Sequence, residues 1–90
     1  MGVNWRVQFH RNAVKDLEPL KRAGLASKAK ALAEVLERDP FANPPSYEKL
    51  TGDLQGCYSR RINIQHRLVY EVDQERKIVR VLRKWSHFGD

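Results

Sequence analysis

A chain of 90 residues is long enough for one small hydrophobic core, and we expect a single domain over residues 1–90. The hydrophobic fraction of 41% and mean hydropathy of −0.66 are typical of a soluble globular protein. No stretch approaches the roughly 20 apolar residues of a membrane span, and the N-terminus lacks the apolar segment of a signal peptide. The lone Cys57 excludes an internal disulfide and a cysteine zinc cluster. We therefore expect a cytoplasmic protein that does not bind membranes.

The charge of the chain is strongly positive. Seventeen lysines and arginines stand against 11 acids, which gives a net charge of +6. The excess is concentrated in residues 57–90, where eight basic side chains, six of them arginines, accompany four acids. Arginine suits two-bond contact with phosphate groups. The composition therefore predicts a polyanionic partner, either a nucleic acid or an acidic protein.

The first half of the chain predicts one strand followed by two helices. Residues 3–9 alternate between apolar and polar side chains, as a half-buried strand does. Asn12 can cap a helix that begins one residue later, although Pro19 should end or kink that helix. A second helix is predicted over residues 25–38, where apolar side chains recur at helical spacing.

The second half predicts a long loop and three strands. Residues 40–56 contain three prolines and two glycines, and a loop of this length in a small domain is usually functional or disordered. Strands are predicted over residues 57–64, 67–72 and 77–85. The resulting order, β-α-α-β-β-β, predicts an α+β fold in which two helices pack on one face of a mostly antiparallel four-stranded sheet. The other face of the sheet should be polar and rich in arginine.

Three ionisable residues near the predicted strand ends form a candidate catalytic set. Glu48 lies in the long loop, Arg67 opens the third strand and His87 follows the fourth, at separations of 19 and 20 residues. A carboxylate can take the proton of a ribose 2′-hydroxyl, an imidazolium can protonate the leaving 5′-oxygen, and a guanidinium can stabilise the transition-state charge. Spacing alone favours a simpler interpretation: a solvated acid, a surface arginine and a histidine near the C-terminus with no shared role.

Three short motifs carry a resemblance to a known family. They are SRRI at residues 59–62, HRLVY at 66–70 and the terminal WSHF at 85–88. In these motifs the chain resembles the Txe/YoeB family of the RelE superfamily, the toxin halves of bacterial type II toxin–antitoxin pairs. The similarity covers about residues 39–88 well, and the helical half only in the order of its elements. The resemblance implies the RelE-like fold, which has the order of elements predicted above.

The resemblance also implies an activity, namely ribosome-dependent endonucleolytic cleavage of mRNA in the A site, with no metal or other cofactor. It assigns Glu48 as the general base, Arg67 as the group that stabilises the transition state and His87 as the general acid. Where the family has a tyrosine after the histidine, this chain has Phe88. A phenyl ring can stack on a base, but it lacks the hydroxyl that could donate a hydrogen bond to phosphate.

Four basic residues are predicted to bind RNA together with Phe88, namely Arg60, Arg61, Arg83 and Lys84. Successive strand residues point to opposite faces of a sheet. We therefore expect one member of the Arg60–Arg61 pair to contact RNA, while the other packs the aliphatic part of its side chain against apolar residues or pairs with a carboxylate. For the same reason we expect the side chains of Arg83 and Lys84 to point to opposite faces of the sheet.

The resemblance further implies three partners. They are a cognate antitoxin whose flexible acidic segment folds over the basic face, the 70S ribosome carrying A-site mRNA, and operator DNA reached only through the antitoxin complex. Two alternatives stay open. One is a RelE-like module that binds RNA or the ribosome without cutting, a possibility that Phe88 sustains. The other is a ParE-like toxin acting on DNA gyrase, against which the set Glu48, Arg67 and His87 argues.

Overall fold

The computed structural model describes residues 5–84, and within this range the chain forms five β-strands and three α-helices. In chain order the elements are β1 (Arg6–Phe9), α1 (Arg11–Lys15), α2 (Leu17–Arg22), α3 (Ala26–Arg38), β2 (Glu48–Lys49), β3 (Cys57–Arg61), β4 (Arg67–Asp73) and β5 (Ile78–Arg83). A single 3₁₀ turn, Gly52–Leu54, lies between β2 and β3. None of the helices found between residues 5 and 84 has the length and apolar content needed to cross a bilayer.

The strands form one mixed sheet in the order β1-β5-β4-β3-β2. β1 runs parallel to β5, and the other three neighbouring pairs are antiparallel. Short connections join β3, β4 and β5 as successive hairpins, whereas the helices separate β1 from the rest of the sheet along the chain. The predicted α+β fold with a mostly antiparallel sheet is confirmed.

The core lies between the helices and one face of this sheet. Leu20 of α2 and Leu36 of α3 are fully buried against side chains of β4 and β5, including Tyr70, Val79 and Val81. Tyr70 lies two residues from buried Leu68 on β4, and Val79 and Val81 lie two residues apart on β5, so these side chains share the face that the helices cover. The helices therefore leave the opposite face of the sheet uncovered, which frees its polar side chains for other contacts.

The predicted first helix is divided in two. Asp16 lies between α1 and α2, and the helix starts earlier than predicted because Nδ1 of His10 accepts a hydrogen bond from the Asn12 amide at 3.1 Å. His10, not Asn12, is therefore the N-cap, and that prediction was wrong. The break lies just upstream of Pro19, as expected, because the ring of a proline inside a helix clashes with the carbonyl four residues before it.

Two strand boundaries also differ from the predictions. The predicted 40–56 loop contains β2, a two-residue edge strand in which Glu48 pairs with Ser59 of β3. A strand of two residues is too short for apolar alternation to reveal. The predicted 57–64 strand ends at Arg61, because Ile64 lies in the β3–β4 turn with 85% of its surface exposed.

Candidate active site

The face of the sheet that the helices leave open carries the candidate site. Three strands contribute to it at neighbouring positions: Glu48 on β2, Ser59 and Arg61 on β3, and Arg67 on β4. The register places Glu48 opposite Ser59, and Arg61 opposite Arg67. Because directly opposed residues in antiparallel strands point to the same side, all four side chains share one face.

Glu48 and Arg67 form an ion pair through Oε1 of the carboxylate and Nη1 of the guanidinium. The same Nη1 lies 3.5 Å from the hydroxyl of Ser59. The Arg67 side chain is 20% exposed, whereas the Glu48 side chain is 64% exposed. The guanidinium is thus held by its surroundings while the carboxylate remains accessible to a ligand.

A cleft of about 360 Å³ surrounds this ion pair. Its lining consists of Ser46, Tyr47, Glu48, Ser59, Arg61 and Arg67. The two guanidinium groups favour an anionic ligand. The carboxylate beside them can accept a proton. The sequence interpretation missed Tyr47 and Ser59. The alternation that pairs Ser59 with Arg61 on one face is the signal that could have identified the serine.

The structure corrects the predicted RNA contact at Arg60. This side chain is only 1% exposed and lies on the helix-covered side of the sheet. Its guanidinium donates hydrogen bonds to backbone carbonyls of the 40–45 segment and to the Tyr70 hydroxyl. Arg60 and Arg61 therefore point to opposite faces, as the strand pleat predicts, and only Arg61 lines the cleft.

Arg83 and Lys84 lie on the same side of the sheet, contrary to the prediction that they diverge. Arg83 donates from Nε and Nη2 to the Asp16 carboxylate at 2.9 and 3.1 Å. The Lys84 ammonium lies 4.8 Å from the ring centroid of Phe9, and burial lowers its pKa. β5 ends at Arg83, so the alternation of a strand no longer applies to the next residue. Neither side chain lines the cleft that holds Glu48 and Arg67.

His87 and Phe88, the remaining predicted site residues, lie outside the described residues 5–84. The last strand nevertheless ends close to the cleft, because the register places Arg83 opposite Val69, two residues along β4 from Arg67. The candidate site as described therefore comprises the carboxylate and the two guanidinium groups.

A second hollow, of about 440 Å³, lies at the opposite end of β4, around the β4–β5 turn. Its lining includes Glu71, Asp73 and Glu75, with Arg80 paired to Glu71 at 3.1 Å. An excess of carboxylates repels a polyanion. The lining of this hollow is therefore less favourable for RNA than that of the cleft, although Arg76 and Lys77 lie in the turn beside it.

Comparison with known sequences places the chain in a family. A family model described as a YoeB-like toxin of a bacterial type II toxin–antitoxin system matches residues 9–88. A toxin YoeB from Synechocystis is 46% identical over 57 residues, which cover 63% of this chain and 59% of that protein. A toxin YoeB from Mycobacterium bovis is 40% identical over 53 residues, covering 59% of this chain and 60% of that protein. The chain thus spans less than two thirds of the length of these curated relatives.

Solved structures extend the similarity to nearly the whole chain. A YoeB/ParE toxin from Agrobacterium tumefaciens is 30% identical, with a TM-score of 0.81 over 92% of this chain and 99% of that one. The RelBE2 toxin–antitoxin complex from Mycobacterium tuberculosis contains a chain 30% identical, with a TM-score of 0.73 over 100% and 98%. The YoeB–YefM complex from Staphylococcus aureus gives 29% identity and a TM-score of 0.76 over 93% and 98%. Since the family match runs from the last residue of β1 past the end of β5 and the fold is the one these toxins share, the chain belongs to the YoeB-like toxins of bacterial type II toxin–antitoxin systems.

Proposed function

We propose that this toxin is a ribosome-dependent endoribonuclease that cleaves mRNA in the A site and so inhibits translation. The main support for the proposal is the ion pair between Glu48 and Arg67. These residues are 19 positions apart in sequence, yet they line one open cleft together with Arg61. A carboxylate base next to guanidinium groups suits attack on a phosphodiester, because proton removal and charge stabilisation are then available at one place. The family match supports the same activity.

In the proposed reaction Glu48 accepts the proton of the ribose 2′-hydroxyl, and the 2′-oxygen forms a bond to phosphorus. The bond between phosphorus and the 5′-oxygen breaks, and His87 delivers a proton to that departing oxygen. The products are a 2′,3′-cyclic phosphate (or, after hydrolysis, a 3′-phosphate) and a 5′-hydroxyl. The proton that Glu48 removes is balanced by the proton that His87 delivers, so side chains account for both proton transfers in the proposed reaction without a metal ion or other cofactor.

Arg67 is assigned the stabilisation of the phosphorane-like transition state. A guanidinium carries five N–H donors in a fixed plane, so it can hold a carboxylate and a phosphate oxygen at the same time. Arg61, exposed at the other side of the cleft, is assigned a contact to a neighbouring phosphate. Phe88 is assigned stacking on a base.

His87 can reach the cleft on simple geometric grounds. It follows Arg83 by four residues, and an extended chain spans about 3.3–3.6 Å per residue. Arg83 lies opposite Val69, which is near Arg67 on β4. A separation of four residues is therefore compatible with the assignment of His87 to the cleft.

The partners follow from the family and from charge. We propose a cognate antitoxin whose flexible acidic segment covers the basic surface, since solved relatives such as YoeB–YefM and RelBE2 are toxin–antitoxin complexes. A net charge of +6 also suits the ribosome and its mRNA. Operator DNA would be bound only through the antitoxin complex.

The test is single-turnover cleavage of mRNA on programmed 70S ribosomes, with mapping of both product ends. Glu48→Gln and His87→Gln should each lower the rate by about 10²–10⁴, the usual contribution of one positioned proton acceptor or donor. Glu71→Gln is the matched control, because it neutralises a carboxylate on the same face that lies outside the cleft.

Three results would contradict the proposal in different ways. Loss of cleavage in EDTA, on ribosomes kept intact by polyamines, would contradict the cofactor-free mechanism. Tight ribosome binding without cleavage would identify the non-cutting module, and Phe88→Tyr would then test whether the missing hydroxyl is the reason. Inhibition of gyrase supercoiling in place of translation would identify a ParE-like toxin.

A further inference from the structure

Among residues 5–84, Arg60 is the largest side chain that is completely buried, and the cleavage mechanism does not use it. Its Nη2 donates to the carbonyl oxygens of Pro40 and Ala42, each at 2.9 Å, and its Nη1 donates to the carbonyl of Pro45. Its Nε lies 3.2 Å from the Tyr70 hydroxyl. One guanidinium thus binds three points of the loop that leads from α3 to β2.

The partners of Arg60 are themselves connected to that loop. The Tyr70 hydroxyl donates to the carbonyl of Pro40 at 2.8 Å, so Pro40 is held by two side chains of the sheet. Burial raises the pKa of the Tyr70 phenol, which keeps this donor protonated. At the other end of the loop, the Tyr47 ring lies beneath the guanidinium, 5.0 Å from Cζ to the ring centroid.

The loop ends at the proposed base. Tyr47 precedes Glu48 directly, and β2 is only two residues long, so the sheet ladder alone gives Glu48 little support. Within the described part of the chain, the partners of Arg60 are neutral carbonyl and phenol groups. A buried charge is costly, and an apolar side chain of similar volume often stabilises a core at least as well. The use of arginine here therefore indicates a requirement for its planar, multiple donors.

We propose that Arg60 is a positioning residue that fixes the 40–47 loop and thereby holds Glu48 against Arg67. The two arginines of the SRRI motif then have separate tasks on the two faces of β3: Arg61 contacts RNA, and Arg60 organises the loop behind the cleft. This inference rests on the proposed function in that it takes Glu48 as the general base.

The main variant is Arg60→Lys, which keeps the positive charge but removes the planar fork. Hydrogen exchange of the purified toxin should become faster over residues 40–49 and stay unchanged in α3 and β5. At saturating ribosomes the single-turnover rate should fall roughly 10²-fold, the loss expected for misplacement by about 1 Å, with unchanged ribosome affinity. In a Glu48→Gln background the same substitution should lower the rate no further, because a residue that acts through Glu48 has no effect without it.

A second variant and a control separate positioning from loss of folding. Tyr70→Phe keeps Arg60 but removes the hydroxyl that contacts both Arg60 and Pro40. It should therefore speed up exchange over residues 40–49 and lower the single-turnover rate, both by less than Arg60→Lys does. Leu20→Val trims a fully buried core side chain on α2, a helix that is not adjacent in sequence to the 40–47 loop. It should lower the urea midpoint without affecting loop exchange or the single-turnover rate.

Each outcome decides the inference. Unchanged exchange over residues 40–49 in Arg60→Lys overturns it, whether or not the wild-type protein cleaves mRNA. An equal loss of rate in the Glu48→Gln background also overturns it, because Arg60 would then act independently of the base. If the wild-type protein does not cleave while the loop still loosens, the proposed function fails and the organising role of Arg60 stands.

Discussion

Arg67 allows the fold and the proposed chemistry to be tested separately. Arg67→Ala removes a guanidinium from the cleft but leaves Glu48 solvated, so the free energy of unfolding should change by only about 1 kcal/mol. Cleavage should fall by about 10²–10³, as it does when one charge-stabilising donor is removed from an active site. The measurements are single-turnover cleavage, growth arrest at matched expression and the urea midpoint.

Arg80→Ala is the control for this prediction. It removes one positive charge from the same face of the sheet, and it breaks the ion pair between Arg80 and Glu71, which lies outside the cleft. It should leave growth arrest and cleavage near wild type. If Arg67→Ala arrests growth as strongly as Arg80→Ala, the role assigned to Arg67 is wrong.

Cys57 should be chemically inert in the folded protein. Burial raises the pKa of its thiol above the ordinary value of 9.0, and the charge of Glu71 acts in the same direction. Because the thiolate is the reactive form, a disulfide reagent at pH 8 should label the native protein far more slowly than the protein in urea. The folded thiol keeps its proton to higher pH than the unfolded one, so folding stability should decrease as the pH rises above 9.0. Fast labelling of native protein would contradict the buried placement.

At the scale of elements, Asp16 connects the helical layer to the end of the last strand. Its carboxylate, only 7% exposed, accepts two bonds from Arg83 and one from the Lys84 amide at 2.9 Å. Asp16→Asn keeps the size but removes the charge and one acceptor oxygen, so it should lower the free energy of unfolding by about 1–3 kcal/mol. Glu71→Gln, on the more exposed pair with Arg80, should cost only about 0–1 kcal/mol. Equal shifts of the urea midpoint in the two variants would contradict this ranking.

The elements themselves were predictable where periodicity runs over several residues. Apolar alternation found the long strands, and helical spacing found α3. Pro19 predicted the interruption at Asp16, but the bonds between Asp16 and Arg83 were not predictable, because the two residues are 67 positions apart in sequence. β2 was missed because a two-residue strand is defined by its partner, not by a pattern of its own.

The candidate site was only partly predictable for the same reason. Spacing could not bring Glu48 and Arg67 together, because their contact depends on the β2–β3–β4 register; the family motif suggested it. The pleat placed Arg60 and Arg61 on opposite faces but could not say which one is buried. Arg60 is the buried member of the pair because the 40–47 loop crosses the helix-covered side of β3 and supplies the carbonyl oxygens that accept its hydrogen bonds.

Over the whole molecule, charge is distributed along the open face of the sheet. Arg61 and Arg67 lie at one end, while Glu71, Asp73 and Glu75 line the hollow at the other. The lining of the cleft has a net positive charge and the lining of the hollow a net negative one, although Arg76 and Lys77 lie in the turn beside the hollow, so a polyanion is attracted more strongly at the cleft. The arrangement therefore favours one end of the sheet for RNA, the end where Glu48 lies.

This polarity predicts how RNA affinity depends on salt. Each phosphate neutralised on a single strand contributes a slope of about −0.7 to the plot of log K against log salt concentration. With a short single-stranded RNA and Glu48→Gln as an uncleaving background, fluorescence anisotropy should give a negative slope. Adding Arg61→Ala should make the slope shallower by about 0.7, because one phosphate contact is lost. Adding Arg80→Ala should leave the slope unchanged, although both variants remove one positive charge. Equal effects of the two substitutions would mean that RNA responds to net charge alone, and the cleft would lose its assignment as the phosphate site.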